Sequence, residues 1–175
     1  FDALSTSPDG RRLYAVGDGI VRSYRLPDLE PLGCAVDDDR NDPGCVRVAA
    51  LDSPMGVTAS ADGDDVYVGV LGGGTVLLRQ SAHGVLSGGW CVDPEAGIAT
   101  CGAPKTGGAS RSGGAPQLTA DGRAAFAIDG TYLHQLLRFA EPTPGSNRAP
   151  ICSNGRSFGQ IDAAQRLRLD CIDPD

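Results

Sequence analysis

The chain has 175 residues, a formal charge of −7 from 15 basic and 22 acidic side chains, and 41% hydrophobic residues. That apolar content excludes a disordered chain, which lacks the apolar area to offset its ordering entropy. The acidic balance excludes nucleic acid as a partner, because affinity for a phosphate backbone comes largely from Lys and Arg releasing counterions.

With 25 Gly and 12 Pro, the apolar residues are cut into many short runs, the pattern of an all-β chain. No run approaches the roughly 18 residues of a membrane helix, so no transmembrane segment is expected. The first run, Leu4 to Thr6, meets Ser7-Pro8-Asp9-Gly10, and a second follows from Leu13 to Val16. Asp can bond its own backbone two residues on, and Gly supplies the positive φ of a tight turn. A third run covers Ile20–Leu26.

The same unit returns twice without gaps. Val57 leads into Asp62-Gly63 and Tyr67; Gln117 leads into Asp121-Gly122 and Phe126. Each has an aromatic five residues after the Asp, and later runs at Thr75–Gln80 and Tyr132–Phe139. The recurring pairs Asp9-Gly10, Asp62-Gly63 and Asp121-Gly122 therefore read as structural turns. Four antiparallel strands per repeat make the blade of a β-propeller. The expected architecture is three blades at about 1–54, 55–114 and 115–140. A Pro-rich linker at 141–150 and a tail at 151–175 follow.

Six cysteines fall into local pairs, Cys34/Cys45, Cys91/Cys101 and Cys152/Cys171. Three disulfides formed in an oxidising compartment are one reading, and six reduced core thiols the other. The Gly, Asp and Pro around the first two pairs suit exposed loops and favour the disulfides.

Ser7-Pro8-Asp9-Gly10-Arg11-Arg12-Leu13-Tyr14-Ala15-Val16 resembles the repeat of lactonase-like propellers of the YVTN type. Cys34-Ala35-Val36-Asp37 through Cys45, followed by Ala50-Leu51-Asp52-Ser53-Pro54, resembles the inter-blade loop of a secreted bacterial propeller group. Asn147 to Asp175 resembles the opening of bacterial Ig-like or cadherin-like domains. These resemblances imply a secreted or cell-surface protein, with the chain a piece of a longer one. They also imply that further blades, from the parent chain or another chain, complete the ring.

Chemistry-bearing motifs are sparse. The nucleophile elbow and the Walker loop are absent, and no catalytic set can be named. His83 and His134 lack a second ligand at metal spacing. Trp90 either stacks on a sugar or covers a neighbouring disulfide. The candidate metal site is Asp37, Asp39, Asn41 and Asp42, whose alternating oxygens resemble the start of a calcium loop without its Gly and Glu. The rival reading is a solvated acidic loop. The sequence thus points to a non-catalytic extracellular module binding a protein or glycan ligand, without cofactor. The alternative is part of a lactonase-like propeller hydrolase or a carbohydrate-binding propeller.

Overall fold

The computed structural model describes the backbone of residues 1–48, 51, 53–71, 74–93, 97–100, 114–120, 124–129, 132–138, 151–154 and 169–172, and within these the side chains of residues up to 87 and of 114–127. Fifteen strands and no helix are found among the described residues.

Alternating and β-branched runs separated by turn residues build three sheets in chain order. The first holds β1 (Ala3–Thr6), β2 (Arg12–Gly17), β3 (Ile20–Arg25), β4 (Glu30–Val36) and β5 (Val46–Arg47). The second holds β6 (Pro54–Ala59), β7 (Asp65–Val70), β8 (Thr75–Gln80), β9 (Leu86–Asp93) and β10 (Gly97–Thr100). The third holds β11 (Gln117–Leu118), β12 (Ala124–Asp129), β13 (Tyr132–Arg138), β14 (Ile151–Asn154) and β15 (Leu169–Ile172). Four strands of each sheet run antiparallel, as a blade requires, and a short fifth strand lies on the far edge. That fifth strand is parallel to its neighbour in the first sheet and antiparallel in the other two.

The tail departs from its expected place. Residues read as the start of an Ig-like domain supply β14 and β15, which pair with β13 and with each other. The third sheet therefore extends well beyond residue 140. An alternating run such as Leu167-Arg168-Leu169-Asp170-Cys171 fits any half-buried strand, so its pattern does not choose a sheet. The segment 141–150, expected to be a linker, lies outside the described residues.

The turns behave as the repeat predicts, with an addition. Gly10 and Gly63 have φ of +68° and +77°. Each turn is also held by a hydroxyl two residues before the Asp. The Ser7 hydroxyl donates to Asp9 Oδ1 at 2.5 Å and accepts from the Arg12 N–H at 2.9 Å. Ser60 repeats this with Asp62 and with the Asp65 N–H, and Thr119 Oγ1 accepts from the Ala124 N–H. The hydrogen bond from Ser7, then that from the Arg11 N–H, holds the Asp9 carboxyl below its ordinary pKa. Asp121 and Gly122 lie outside the described residues. The β2–β3 connection is a tighter Asp-Gly hairpin, with positive φ at both Asp18 and Gly19.

The core lies between the first two sheets. Tyr14, Val16, Val21 and Ala35 of the first face Val57, Val66, Val68 and Leu78 of the second. All of these are at most 2% exposed, and each buried Val or Leu among them stabilises by about 1.5–3 kcal/mol relative to exposure.

Cys34 and Cys45 form a disulfide across an 11-residue separation. Among the other cysteines, Cys152 and Cys171 are register partners on β14 and β15. Cys91 lies on β9 with its side chain outside the described residues, and Cys101 is wholly outside them. Reduction of Cys34–Cys45 should cost roughly 2–3 kcal/mol, the loop-closure entropy of a loop this short. Melting temperatures with and without reductant test this. Peptide mapping of the unreduced protein should recover the Cys34–Cys45 linked fragment, and links Cys91–Cys101 and Cys152–Cys171 are proposed alongside it.

Candidate functional site

The two ends of the sheets differ. At one end lie the Ser7–Arg12 and Ser60–Asp65 turns together with the β8–β9 turn. They are locked together by Arg12, whose Nη1 donates to Gln80 Oε1 at 2.7 Å and to the Gly63 carbonyl at 3.3 Å. Its Nη2 donates to the Ala82 carbonyl at 2.8 Å. Tyr14 adds its hydroxyl to Gln80 Oε1 at 2.6 Å, and Ser23 donates to the Gly84 carbonyl at 2.8 Å. Every polar group named here is spent on holding sheet to sheet.

The opposite end carries the β2–β3 and β7–β8 turns and the connection between the first two sheets. A cleft of about 540 Å³ opens there, lined by Asp2, Asp18, Asp37, Asp39, Arg40 and Met55 with Leu71 beside them. These residues come from the start of β1, the β2–β3 turn, the loop after β4, and the start of β6. Chain connectivity alone brings them to one end. Four carboxylates and one guanidinium make the cleft acidic, while Met55 and Leu71, each 40% exposed, give it an apolar side.

Arg40 organises the acidic loop. Its Nε donates to Asp42 Oδ2 at 2.9 Å and its Nη1 to Asp18 Oδ2 at 3.0 Å and to the Asp18 carbonyl. The bond to Asp18, then that to Asp42, raises the Arg40 pKa further. Asn41 Oδ1 accepts from Arg47 Nη2 at 3.2 Å, and Asp37 Oδ1 accepts from the Asp38 N–H at 2.8 Å.

The calcium reading therefore does not assemble. Among the described residues no three His, Cys, Asp or Glu side chains are grouped to hold a metal ion. Of the four candidates, Asp37 and Asp39 line the cleft, but Asn41 and Asp42 turn to arginines. Alternating oxygens in the sequence do not reveal whether a cation or an Arg will satisfy them, and here Arg40 and Arg47 lie close by in the chain. His83 is exposed in the β8–β9 turn, away from the cleft. The side chains of Trp90 and His134 lie outside the described residues. Sequence reasoning missed Arg40, Asp18 and Asp2; the Asp18-Gly19 dipeptide flanking β3 was the signal that could have marked the turn.

No protein-family model and no curated protein matches this sequence. Solved structures do. A candidate 6-phosphogluconolactonase from Bacteroides fragilis is 12% identical, with a TM-score of 0.54 over 98% of this chain and 55% of that one. A protein from Lactobacillus plantarum is 15% identical, with a TM-score of 0.54 over 97% of this chain and 53% of that one. The periplasmic gluconolactonase of Pseudomonas aeruginosa is 19% identical, with a TM-score of 0.50 over 87% of this chain and 46% of that one. The chain has the fold of lactonase-like β-propellers, and it spans about half the length of the structures it matches.

Proposed function

We propose that the chain is part of a lactonase-like propeller acting on a sugar-derived lactone, with the cleft between the first two sheets as one wall of its ligand face. This replaces the non-catalytic binding role as the leading reading. The observation that carries it is positional. The cleft lies where the inter-sheet loop and two strand turns meet, the end of a blade at which loops are free to vary, while the other end is committed to the Arg12–Gln80 lock.

The chemistry of the cleft suits such a ligand. Asp37 and Asp39 offer acceptors for ring hydroxyls, and Met55 and Leu71 offer an apolar surface for the ring face. Opening a lactone requires a water to attack the carbonyl carbon, a base to take its proton, and a donor to stabilise the oxyanion. A carboxylate and a guanidinium are residue types able to fill those roles. Arg40 holds two of its nitrogens on Asp18 and Asp42, which fixes the guanidinium at the cleft wall.

Calorimetry and initial-rate assays with gluconolactone test the reading. Saturable binding is expected, weakened about tenfold in Arg40→Ala by loss of a charged contact, with hydrolysis above the uncatalysed rate. Neither binding nor turnover across a series of sugar lactones would return the chain to the non-catalytic class.

A further inference from the structure

We infer that the Cys34–Cys45 disulfide is a redox-sensitive clasp on the cleft, and that its reduction frees residues 37–45 while the sheets stay folded. The release rests on the loop alone; its consequence for a ligand rests on the lactonase reading.

Position carries the inference. Asp37, Asp39 and Arg40 of the cleft lining lie between the two cysteines, so the crosslink closes the loop that forms the acidic wall of the cleft. That loop has a demanding path. β5 lies parallel to β4, pairing Ala35 with Val46 and Val36 with Arg47. A chain leaving β4 at Val36 must therefore turn back to the level of Cys34 before β5 can begin. Residues 37–45 make that return, a shorter span than the dozen or so residues that a parallel connection ordinarily needs. The fifth strands of the other two sheets are antiparallel and need no such return. Cys34 and Cys45 immediately precede the paired Ala35 and Val46, so the disulfide sits where the returning chain has to be held.

The loop's other holds are weak. From Asp37 to Gly44 the only apolar side chain is that of Pro43, and every residue is exposed or half-buried, so burial contributes little. Asp37, Asp38, Asp39 and Asp42 outnumber Arg40, and like charges repel within the loop. Towards the β2–β3 turn, the Asp37 N–H donates to the Gly19 carbonyl at 3.3 Å. Arg40 also reaches Asp18, but that carboxylate is 88% exposed, and so exposed an ion pair adds little. The bonds from the Arg40 N–H to the Asp37 carbonyl and from the Cys45 N–H to the Asp42 carbonyl stay within the loop. Release ends at Val36 and Val48, which are 0% and 4% exposed and joined by the Val48 N–H to the Val36 carbonyl at 2.8 Å.

Both cysteines are half-buried, within reach of a small dithiol. One sulfur of the dithiol attacks the disulfide, the S–S bond breaks, and the second sulfur resolves the mixed disulfide. Cys34 and Cys45 gain two electrons and two protons, and the dithiol leaves as its cyclic disulfide.

Hydrogen exchange with and without dithiothreitol tests the clasp. The amides of Asp37, Arg40 and Cys45 should exchange at least about tenfold faster after reduction, because local opening becomes easier, while β2 and β7 stay protected. Trypsin should cut after Arg40 faster by a similar factor. Cys34→Ser/Cys45→Ser should match the reduced wild type, and its loop should ignore dithiothreitol, which separates this crosslink from the other cysteines. Should that variant not fold, reduction of the wild type still decides. Gluconolactone should bind at least about tenfold more weakly after reduction. Loop exchange and cleavage unchanged by reduction overturn the inference, as does loss of the sheets together with the loop by circular dichroism. Faster loop exchange in a protein that never binds gluconolactone upholds the clasp and removes the lactonase reading. An unchanged loop in a protein that binds the lactone does the reverse.

Discussion

Replacing Tyr14 by Ala is expected to destabilise the protein by about 4 kcal/mol, the scale of removing a fully buried aromatic side chain. Tyr14 is 0% exposed and sits between the first two sheets. Its hydroxyl shares Gln80 Oε1 with Arg12, and Gln80 Nε2 donates to the Gly84 carbonyl at 3.2 Å. Tyr14→Phe should therefore cost only about 1 kcal/mol, since Gln80 keeps its bond to Arg12. Gln80→Leu should cost about 2–3 kcal/mol, because it strands a buried hydroxyl and part of a guanidinium. The double variant should fall short of the sum by about 1 kcal/mol if the three groups act as one network. Urea denaturation of the four proteins reads these values. A further signature is alkaline. Burial raises the Tyr14 pKa above its ordinary value of 10.0, so the folded state holds this proton more tightly than the unfolded state. Stability from this group is complete below pH 10 and is lost as pH rises towards the folded-state value. Tyr14→Phe should lack that component of the alkaline decline; identical alkaline profiles would remove Tyr14 from the network.

These contrasts mark what the chain's sequence discloses. Leu13 to Val16, Val66 to Val70 and Thr75 to Gln80 read as strands because they are short runs of β-branched, aromatic and Leu residues bounded by turn residues, a local property. Asp9-Gly10 and Asp62-Gly63 read as turns for an equally local reason. Cys34 and Cys45 close a short loop and find each other within it. Gln80 was invisible, because its partners Arg12 and Tyr14 lie 68 and 66 residues away and nothing in a glutamine announces burial. Ser7 and Ser60 could have been read, since a hydroxyl two residues before the Asp recurs at the same place in each repeat. The cleft was half legible: Asp37 and Asp39 were singled out, but as ligands of an ion. Their true setting depends on Asp18 reaching Arg40 across 22 residues.

Gly56→Val is expected to destabilise by about 3 kcal/mol or more, although strand propensity alone predicts the opposite sign. Val is favoured in strands and Gly is disfavoured, and β6, whose register against β7 shifts between Pro54 and Gly56, carries Val57 next in the chain. A glycine inside a strand also marks the close approach of another backbone. A Cβ built on Gly56 would collide with the Ala115 N and Cα and lie 2.7 Å from its Cβ. Gly69, on the neighbouring β7, meets the Gly114 carbonyl oxygen in the same way. The segment leading into the third sheet thus lies directly on the face formed by these two glycines, and a side chain there must push it away. Backbone gives less readily than a side chain tip, which places the cost at the upper end of overpacking effects. In a chain of this length the change corresponds to a fall in melting temperature of roughly 10 °C. Thr58→Val, on the same strand and half-buried, is the control and should stay within about 0.5 kcal/mol. Hydrogen exchange should show the loss concentrated in β11 and β12 rather than in β1 to β4, because only the seat of the third sheet is altered. A Gly56→Val protein as stable as the wild type, with β11 and β12 equally protected, would mean that the third sheet does not rest on this face.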